Sequence, residues 1–82
     1  MTDDRTTLHD EAWSWRLDRT REGLVLDVLC GTVGIYNTTI LLEPGEVAMW
    51  ESGGPAALEP LVEAIRYDPA EFSARDRPDL RP

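Results

Sequence analysis

The sequence predicts an α+β fold, in which an antiparallel β-meander of three strands, with a possible fourth, is followed by C-terminal helices packed on one face. Three observations lead to this class. Apolar residues follow strand patterns in three segments of the first half, short polar loops join those segments, and a helical apolar stripe lies in the second half. A sheet and a helix that each have an apolar surface bury both by packing together.

The length of 82 residues fits one small domain. We expect residues 12–75 to form this domain. Residues 1–11 are predicted to be a flexible acidic tail, because they show no periodic apolar pattern. Residues 76–82 are predicted to be a loose tail, because they are charged and interrupted by proline. A domain of this size buries only about 60% of its unfolded surface, so a partner or a second copy would add stability.

Three segments have the pattern of β-strands. Trp13–Arg19 alternates between apolar and polar residues, as a half-exposed strand does. Leu24–Cys30 is apolar at nearly every position, which is typical of a strand covered on both faces. Ile35–Leu42 follows a glycine-containing turn and is rich in residues that favour strands. Because the connecting loops are short, we expect the three strands to be antiparallel neighbours.

The second half contains helix signals. Four apolar residues fall at helical spacing: Leu58, Leu61, Val62 and Ile65. They predict a helix over Ala57–Tyr67, with Pro60 in its first turn because proline has no N–H to donate. Pro44–Glu51 fits either a short helix or a fourth strand. The helix is favoured, because Pro44 and Glu46 suit the first and third helical positions.

The predicted core combines the apolar face of the sheet with the helical stripe. It consists of Trp15, Leu17, Leu26, Val28, Cys30, Ile40, Leu42, Leu58, Leu61, Val62 and Ile65. Cys30 is the only cysteine, and it shares a strand face with aliphatic residues. The only histidine, His9, lies in the expected tail, so the sequence places no base beside the thiol. We therefore interpret Cys30 as a buried structural residue and not as a nucleophile.

Composition excludes several functions. Sixteen acidic residues and eight basic residues, all arginine, give a formal charge of −8. This charge and the lack of a basic stripe argue against binding to nucleic acid. One histidine and one cysteine cannot form a four-ligand zinc site, and Asp3–Asp4 and Asp10–Glu11 lack calcium-loop spacing, so we expect no metal and no cofactor. The single cysteine and the absence of a leader-like or membrane-spanning run predict a cytoplasmic protein that does not bind membranes.

A few residues are candidates for function. Tryptophan and arginine are favoured at protein interfaces, and a first strand can lie at a sheet edge. The candidate protein interface consists of Trp13, Trp15, Arg16, Arg19 and Trp50. Asp27 is a candidate functional acid, because it lies in an otherwise apolar strand and must find a hydrogen-bond donor. Arg16, on the neighbouring strand, is its expected cross-strand partner. No set of catalytic residues is evident.

These features predict a small, acidic, non-catalytic protein-binding module. We expect it to act through its sheet, either as a homodimer or with another, basic protein. Its size, acidity and layout resemble those of small bacterial regulators, immunity proteins and phage-encoded inhibitors. Two alternatives stay open. One is a small enzyme or accessory subunit that uses Asp27, Cys30 or a pair of acids in a pocket between sheet and helix. The other is a module that encloses a small apolar ligand there.

Overall fold

The computed structural model describes residues 5–31 and 36–82 and has the predicted α+β architecture. Within this part of the chain, the sheet has four antiparallel strands in the order β1-β2-β3-β4. The strands are β1 Thr6–Glu11, β2 Trp15–Thr20, β3 Gly23–Cys30 and β4 Tyr36–Leu41. They are followed by helices α1 Pro44–Gly53 and α2 Pro55–Tyr67, and by two 3-10 helices, Pro69–Arg75 and Pro78–Leu80. Ile35, the predicted first residue of the third strand, lies outside the described residues.

The first strand occupies a segment that was expected to be a flexible tail. Thr6–Glu11 pairs with β2, and its register shifts between Thr7 and His9. This irregularity adds a residue to the strand and breaks the alternation of side chains. A polar edge strand with a broken alternation has no clear pattern in sequence, so the prediction of a tail is wrong for this range. Residues 1–4 of the expected tail lie outside the described residues.

Strand register assigns the side chains to two faces of the sheet. Leu26 lies opposite Leu17 on β2 and Ile40 on β4. We call the face that carries these residues the helix face, because they form one core cluster with Leu58, Val62 and Ile65 of α2. The next residue along β3, Asp27, lies opposite Arg16 and Thr39. We call the face that carries these three polar residues the second face.

The core agrees closely with the predicted one. The buried apolar residues are Trp15, Leu17, Val25, Leu26, Val28, Cys30, Ile40, Leu42, Leu58, Val62 and Ile65. Leu61 was expected in the core and is only partly buried at its margin. Val25 was not expected there, but it is buried on the second face. Two layers therefore cover β3, as its nearly continuous apolar sequence predicts.

The two α-helices meet at one glycine. The helical interpretation of Pro44–Glu51 is confirmed, and Glu43 and Glu46 cap α1 reciprocally. Gly54 ends α1 and precedes α2 with φ 70°, a left-handed conformation that favours glycine. Helix α2 begins at Pro55, two residues earlier than predicted. Pro60 therefore lies in the second turn and not the first, because Pro55 already occupies the first helical position.

The segment 76–81, expected to be loose, is bonded to the sheet; we call it the C-terminal strap. Asp76 forms an isolated bridge with Ile40 of β4. The Arg77 N–H donates to the Thr39 carbonyl at 2.6 Å, and the Asp76 carboxylate accepts from the Thr39 N–H at 3.0 Å. Further along, the Leu80 carbonyl accepts from the Arg5 side chain at 2.7 Å. The expectation of a loose tail therefore does not hold for this segment.

Candidate functional site

A pocket of about 320 Å³ lies on the second face of the sheet, beside the turn between β1 and β2. Strand residues, the turn and the strap all contribute to it. Its lining includes Asp10, Trp13, Arg16, Asp27, Asn37 and Arg81. This volume is near the lower end of the range for ligand pockets and suits one large side chain better than a whole cofactor.

Trp13 borders this pocket and is unusual in its backbone conformation and in its exposure. It lies in the turn that joins β1 to β2, where the Ser14 N–H donates to the Glu11 carbonyl at 2.9 Å. Its φ is 63°, in the left-handed region, and 86% of its surface is exposed. The prediction that Trp13 shares a strand with Trp15 is therefore wrong. A strained backbone that presents an aromatic ring to water does not serve the stability of the fold, which makes it a marker for function.

Asp27 lies in the same pocket and is only 8% exposed. Its Oδ1 accepts from the Thr39 hydroxyl at 2.6 Å, and its Oδ2 accepts from the Asn37 amide at 2.7 Å. The expected partner, Arg16, lies directly opposite in the register. However, the Arg16 guanidinium binds the Asp18 carboxylate at 3.0 Å and the Thr7 hydroxyl at 2.8 Å. Within residues 5–31 and 36–82, the hydrogen-bond donors to Asp27 are therefore neutral.

Asp18 accepts the hydrogen bond from Arg16 that was expected at Asp27, although the charge of Asp27 still acts on Arg16. The Asp18 carboxylate is 1% exposed and binds both Arg16 and Arg5. Burial opposes its ionisation, but the hydrogen bonds from Arg5 and Arg16 outweigh this effect and hold the pKa of the carboxyl below its ordinary value. The hydrogen bond to Asp18 in turn raises the pKa of the Arg16 guanidinium. Two arginines are thus fixed around one buried acid, next to the pocket.

Arg81 and Asn37 belong to the pocket, and the sequence analysis did not identify them. Arg81 donates to the Asn37 carbonyl at 2.9 Å and to the Thr39 hydroxyl at 3.3 Å. The period-two alternation of β4 places Asn37 on the same face as Thr39, so strand register could have identified it. No comparable signal marks Arg81, which lies in the segment that was expected to be loose.

The other candidate interface residues lie apart from Trp13 or are buried. Trp15 borders the pocket but is 2% exposed, and its ring contacts that of His9 in a tilted arrangement, with the centroids 4.3 Å apart. Trp50 is half-buried and packs against the core cluster. Arg19 is exposed, and it lies between Thr6 and Leu24 in the register rather than at the pocket.

The core cluster packs between the sheet and α2, the region where both alternative functions were expected to have a pocket. Cys30 belongs to this core. It is 2% exposed, with its Sγ 3.5 Å from the Thr38 hydroxyl and 3.6 Å from the Val28 carbonyl. Another pocket, of about 300 Å³, lies between β4 and the first 3-10 helix and is lined in part by Tyr36, Pro69 and Ser73.

Metal-binding groups, membrane-spanning helices and similar proteins were each considered in turn for the described residues or the chain. Among the described residues, no group of three or more histidine, cysteine, aspartate or glutamate side chains is arranged to hold a metal ion. In the same part of the chain, every helix is too short or too polar to cross a membrane. Comparison of the chain with family models, curated proteins and solved structures gave no match.

Proposed function

We propose that this protein is a non-catalytic binding protein that holds a partner protein against the β1–β2 turn and the pocket of the second face. The observation that carries this proposal is the state of Trp13, which is 86% exposed at φ 63°. Buried in an interface, a tryptophan can contribute 2 kcal/mol or more, roughly, to binding. Left in water, the same side chain stabilises little. The turn therefore displays a side chain whose burial requires a second surface.

The charges around Trp13 favour a basic partner. Asp10 and Glu11 are exposed in β1 beside the turn and line the pocket together with Asp27. The whole chain carries a formal charge of −8. Acidic surfaces attract basic proteins and speed their association, more than they increase affinity at equilibrium. We therefore expect binding to weaken as salt concentration rises.

The edges of the sheet favour contact through the turn over strand pairing. Strand β1 is a poor template for a further strand, because its register is irregular between Thr7 and His9 and because it ends in the acidic residues Asp10 and Glu11. The outer edge of β4 is occupied at Thr39 and Ile40 by the strap. A partner that approaches from the turn meets neither obstacle.

Photo-crosslinking at the turn tests the proposal. A photoreactive amino acid is placed at Ala12, which is exposed and leaves Trp13 intact, and in a separate protein at Ala56, which is exposed at the start of α2. Irradiation in an extract of the source cells is followed by mass spectrometry of the adducts. We expect a dominant adduct with one basic protein from Ala12 and not from Ala56.

Second substitutions establish whether Trp13 is the anchor. Trp13→Ala is expected to remove the Ala12 adduct. Tyr67→Ala, which removes an aromatic side chain 92% exposed at the end of α2, is expected to leave it unchanged. An Ala12 adduct with a second copy of the chain would identify homodimerisation through the turn as the mode of binding. Equal adducts from Ala12 and Ala56, or an Ala12 adduct that survives Trp13→Ala, would contradict the proposal.

A further inference from the structure

We infer that the pocket of the second face receives one arginine side chain of the partner, whose guanidinium meets the Asp27 carboxylate while its plane lies against the Trp13 ring. This inference rests on the proposed function, and it specifies the chemistry by which the partner is recognised. It is carried by the state of Asp27, by the polar groups of the second face, and by the aromatic ring beside them.

The Asp27 carboxylate is buried and accepts hydrogen bonds from neutral side chains. Asp27 is 8% exposed, and its described hydrogen-bond donors are the neutral side chains of Thr39 and Asn37. An ionised carboxylate has about four acceptor sites, so these two bonds leave capacity for two more. A carboxylate that is largely removed from water gains most from a partner that supplies both charge and donors.

The second face of the sheet carries oxygen atoms that accept hydrogen bonds from arginine. Arginines of the chain itself already bind there. Arg5 and Arg16 share Asp18, and Arg81 binds Thr39 and the Asn37 carbonyl. In each case an oxygen atom of the sheet accepts a hydrogen bond from a guanidinium. The face therefore presents acceptors suited to arginine. In the described chain the hydrogen bonds to Asp27 come from Asn37 and Thr39 and not from a guanidinium, although Arg16 is close enough to interact with its charge.

The position of Trp13 bears on the shape of the ligand. Trp13 borders the pocket, so a cation that enters it can stack on the indole ring while its charge reaches the acid. Arginine suits this geometry better than lysine, because its guanidinium is planar and can donate two parallel hydrogen bonds to one carboxylate. The pocket is lined by three acids, Asp10, Glu11 and Asp27, and by two arginines, Arg16 and Arg81. An anionic side chain is disfavoured, since the acids outnumber the arginines and both arginines already bind acceptors of the chain.

A probe titration tests the inference. The probe is N-acetyl-arginine methylamide, and its control is the citrulline compound, which has nearly the same shape and no charge. Binding is followed through the indole N–H resonances of the three tryptophans. The Trp13 resonance is assigned from the signal that disappears in Trp13→Phe. We expect the arginine probe to shift the Trp13 resonance until the shift saturates. The citrulline compound is expected to bind more weakly by a factor of about five at least.

A charge-removing variant locates the acid. Asp27→Asn is expected to weaken binding of the arginine probe about fivefold, because it keeps the size of the side chain and removes the charge. Glu51→Gln changes the net charge equally on exposed α1 and is expected to have no such effect. The probe comparison in the unmodified protein does not depend on the folding of any variant.

The possible outcomes separate the inference from the proposed function. Equal binding of the arginine and citrulline probes, or an unchanged affinity in Asp27→Asn, overturns the inference. If the Ala12 adduct forms and depends on Trp13 while the arginine probe fails to bind, the inference falls and the proposed function stands. If the probe binds as expected but Ala12 forms no adduct, the chemistry of the pocket stands and the proposed function falls.

Discussion

At the scale of single residues, Trp13 shows a conflict between stability and exposure. A left-handed backbone costs an L-residue about 1–2 kcal/mol. The ring recovers little of this cost, since it is 86% exposed. Asparagine tolerates the left-handed region better than other residues that have a β-carbon. The residue at this position is therefore a poor choice for the turn and a good choice for an interface.

A substitution at Trp13 tests this conflict. Trp13→Asn is expected to raise the free energy of unfolding by about 0.5–1 kcal/mol, because it relieves backbone strain. Trp13→Ala keeps the strain of the left-handed backbone, so its free energy of unfolding is expected to rise less. Urea unfolding followed by circular dichroism measures both. The same Trp13→Asn protein is expected to lose the adduct from Ala12, so that stability rises while binding falls. A Trp13→Asn protein less stable than Trp13→Ala would contradict this account.

The buried acid Asp18 predicts how stability depends on pH. Burial opposes its charge, yet Arg5 and Arg16 hold its pKa below the ordinary value in the folded state. Glu46 behaves in the same way through its bond to Arg75. Because the folded pKa values are lowered, the ionised forms stabilise the fold above the unfolded pKa values near 4. This contribution is lost as pH falls through the folded pKa values. We expect the free energy of unfolding to decline below about pH 5.

Asp18→Asn removes the charge and is expected to lower the free energy of unfolding at pH 7 by about 1–3 kcal/mol, because it weakens the bonds of two partly buried arginines. The variant should also lose part of the decline below pH 5. Asp79→Asn is the matched control, since Asp79 and its partner Arg77 are exposed. Unfolding in urea at a series of pH values measures these effects. An equal loss of stability in both variants would show that the buried cluster has no special role.

At the scale of elements, the sequence predicted the strands and the helix that have a clear apolar pattern or a strong strand propensity. Strand β2 and helix α2 were found because their apolar residues recur at strand or helical spacing, which follows from burial of one side. Strand β3 was found from its nearly continuous apolar run, and β4 from residues that favour strands. Strand β1 was missed, because it is polar and its alternation is broken between Thr7 and His9. The start of α2 was misplaced, because both Pro55 and Pro60 suit the first turn of a helix and the prediction assigned that place to Pro60, whereas Pro55 occupies it.

The contact between the two α-helices yields a prediction at this scale. A β-carbon added to Gly53, at the end of α1, would lie 2.7 Å from the Ala57 β-carbon on α2, whereas one added to Gly45 meets no atom within 4 Å. Gly53→Ala is therefore expected to destabilise the protein by about 1–3 kcal/mol through this clash. Gly45→Ala is expected to stabilise it by about 0.5–1 kcal/mol through helix propensity. Thermal unfolding compares the two. The same sign of effect at both positions would refute the close approach.

At the scale of the whole molecule, the C-terminal strap completes the sheet. It occupies the hydrogen-bonding groups of Thr39 at the edge of β4 and reaches Arg5 beside β1. Removal of residues 76–82 is expected to lower the free energy of unfolding by about 2 kcal/mol or more, since buried polar groups lose their partners. It should also promote self-association through the freed β4 edge. Chemical unfolding and light scattering measure the two effects. Removal of Pro82 alone is the control and is expected to change neither.

Some residues of the candidate site could be predicted from the sequence, but their arrangement in space could not. Trp13, Arg16 and Asp27 were identified as residue types that suit an interface or an acid. Their spatial relation was not identified, because Trp13 was assigned to a strand and Arg16 was expected to pair with Asp27. Trp13 lies in a turn closed by the Ser14–Glu11 bond, and Arg16 binds Asp18. The pocket is completed by Arg81, which binds Asn37 and Thr39 more than 40 positions away. Such bonds join chain segments far apart, which no local period reveals.

The bond between Arg5 and the Leu80 carbonyl spans 75 positions of the chain. The ribosome therefore releases the first partner long before it makes the second. Until then Arg5 lacks its Leu80 partner and Thr39 at the edge of β4 lacks the bonds of the strap, although every described strand has already been synthesised. Contacts of such long sequence separation form late in folding. Completion of the second face therefore has to wait for the synthesis of the strap, and so does the pocket that we assign to partner recognition.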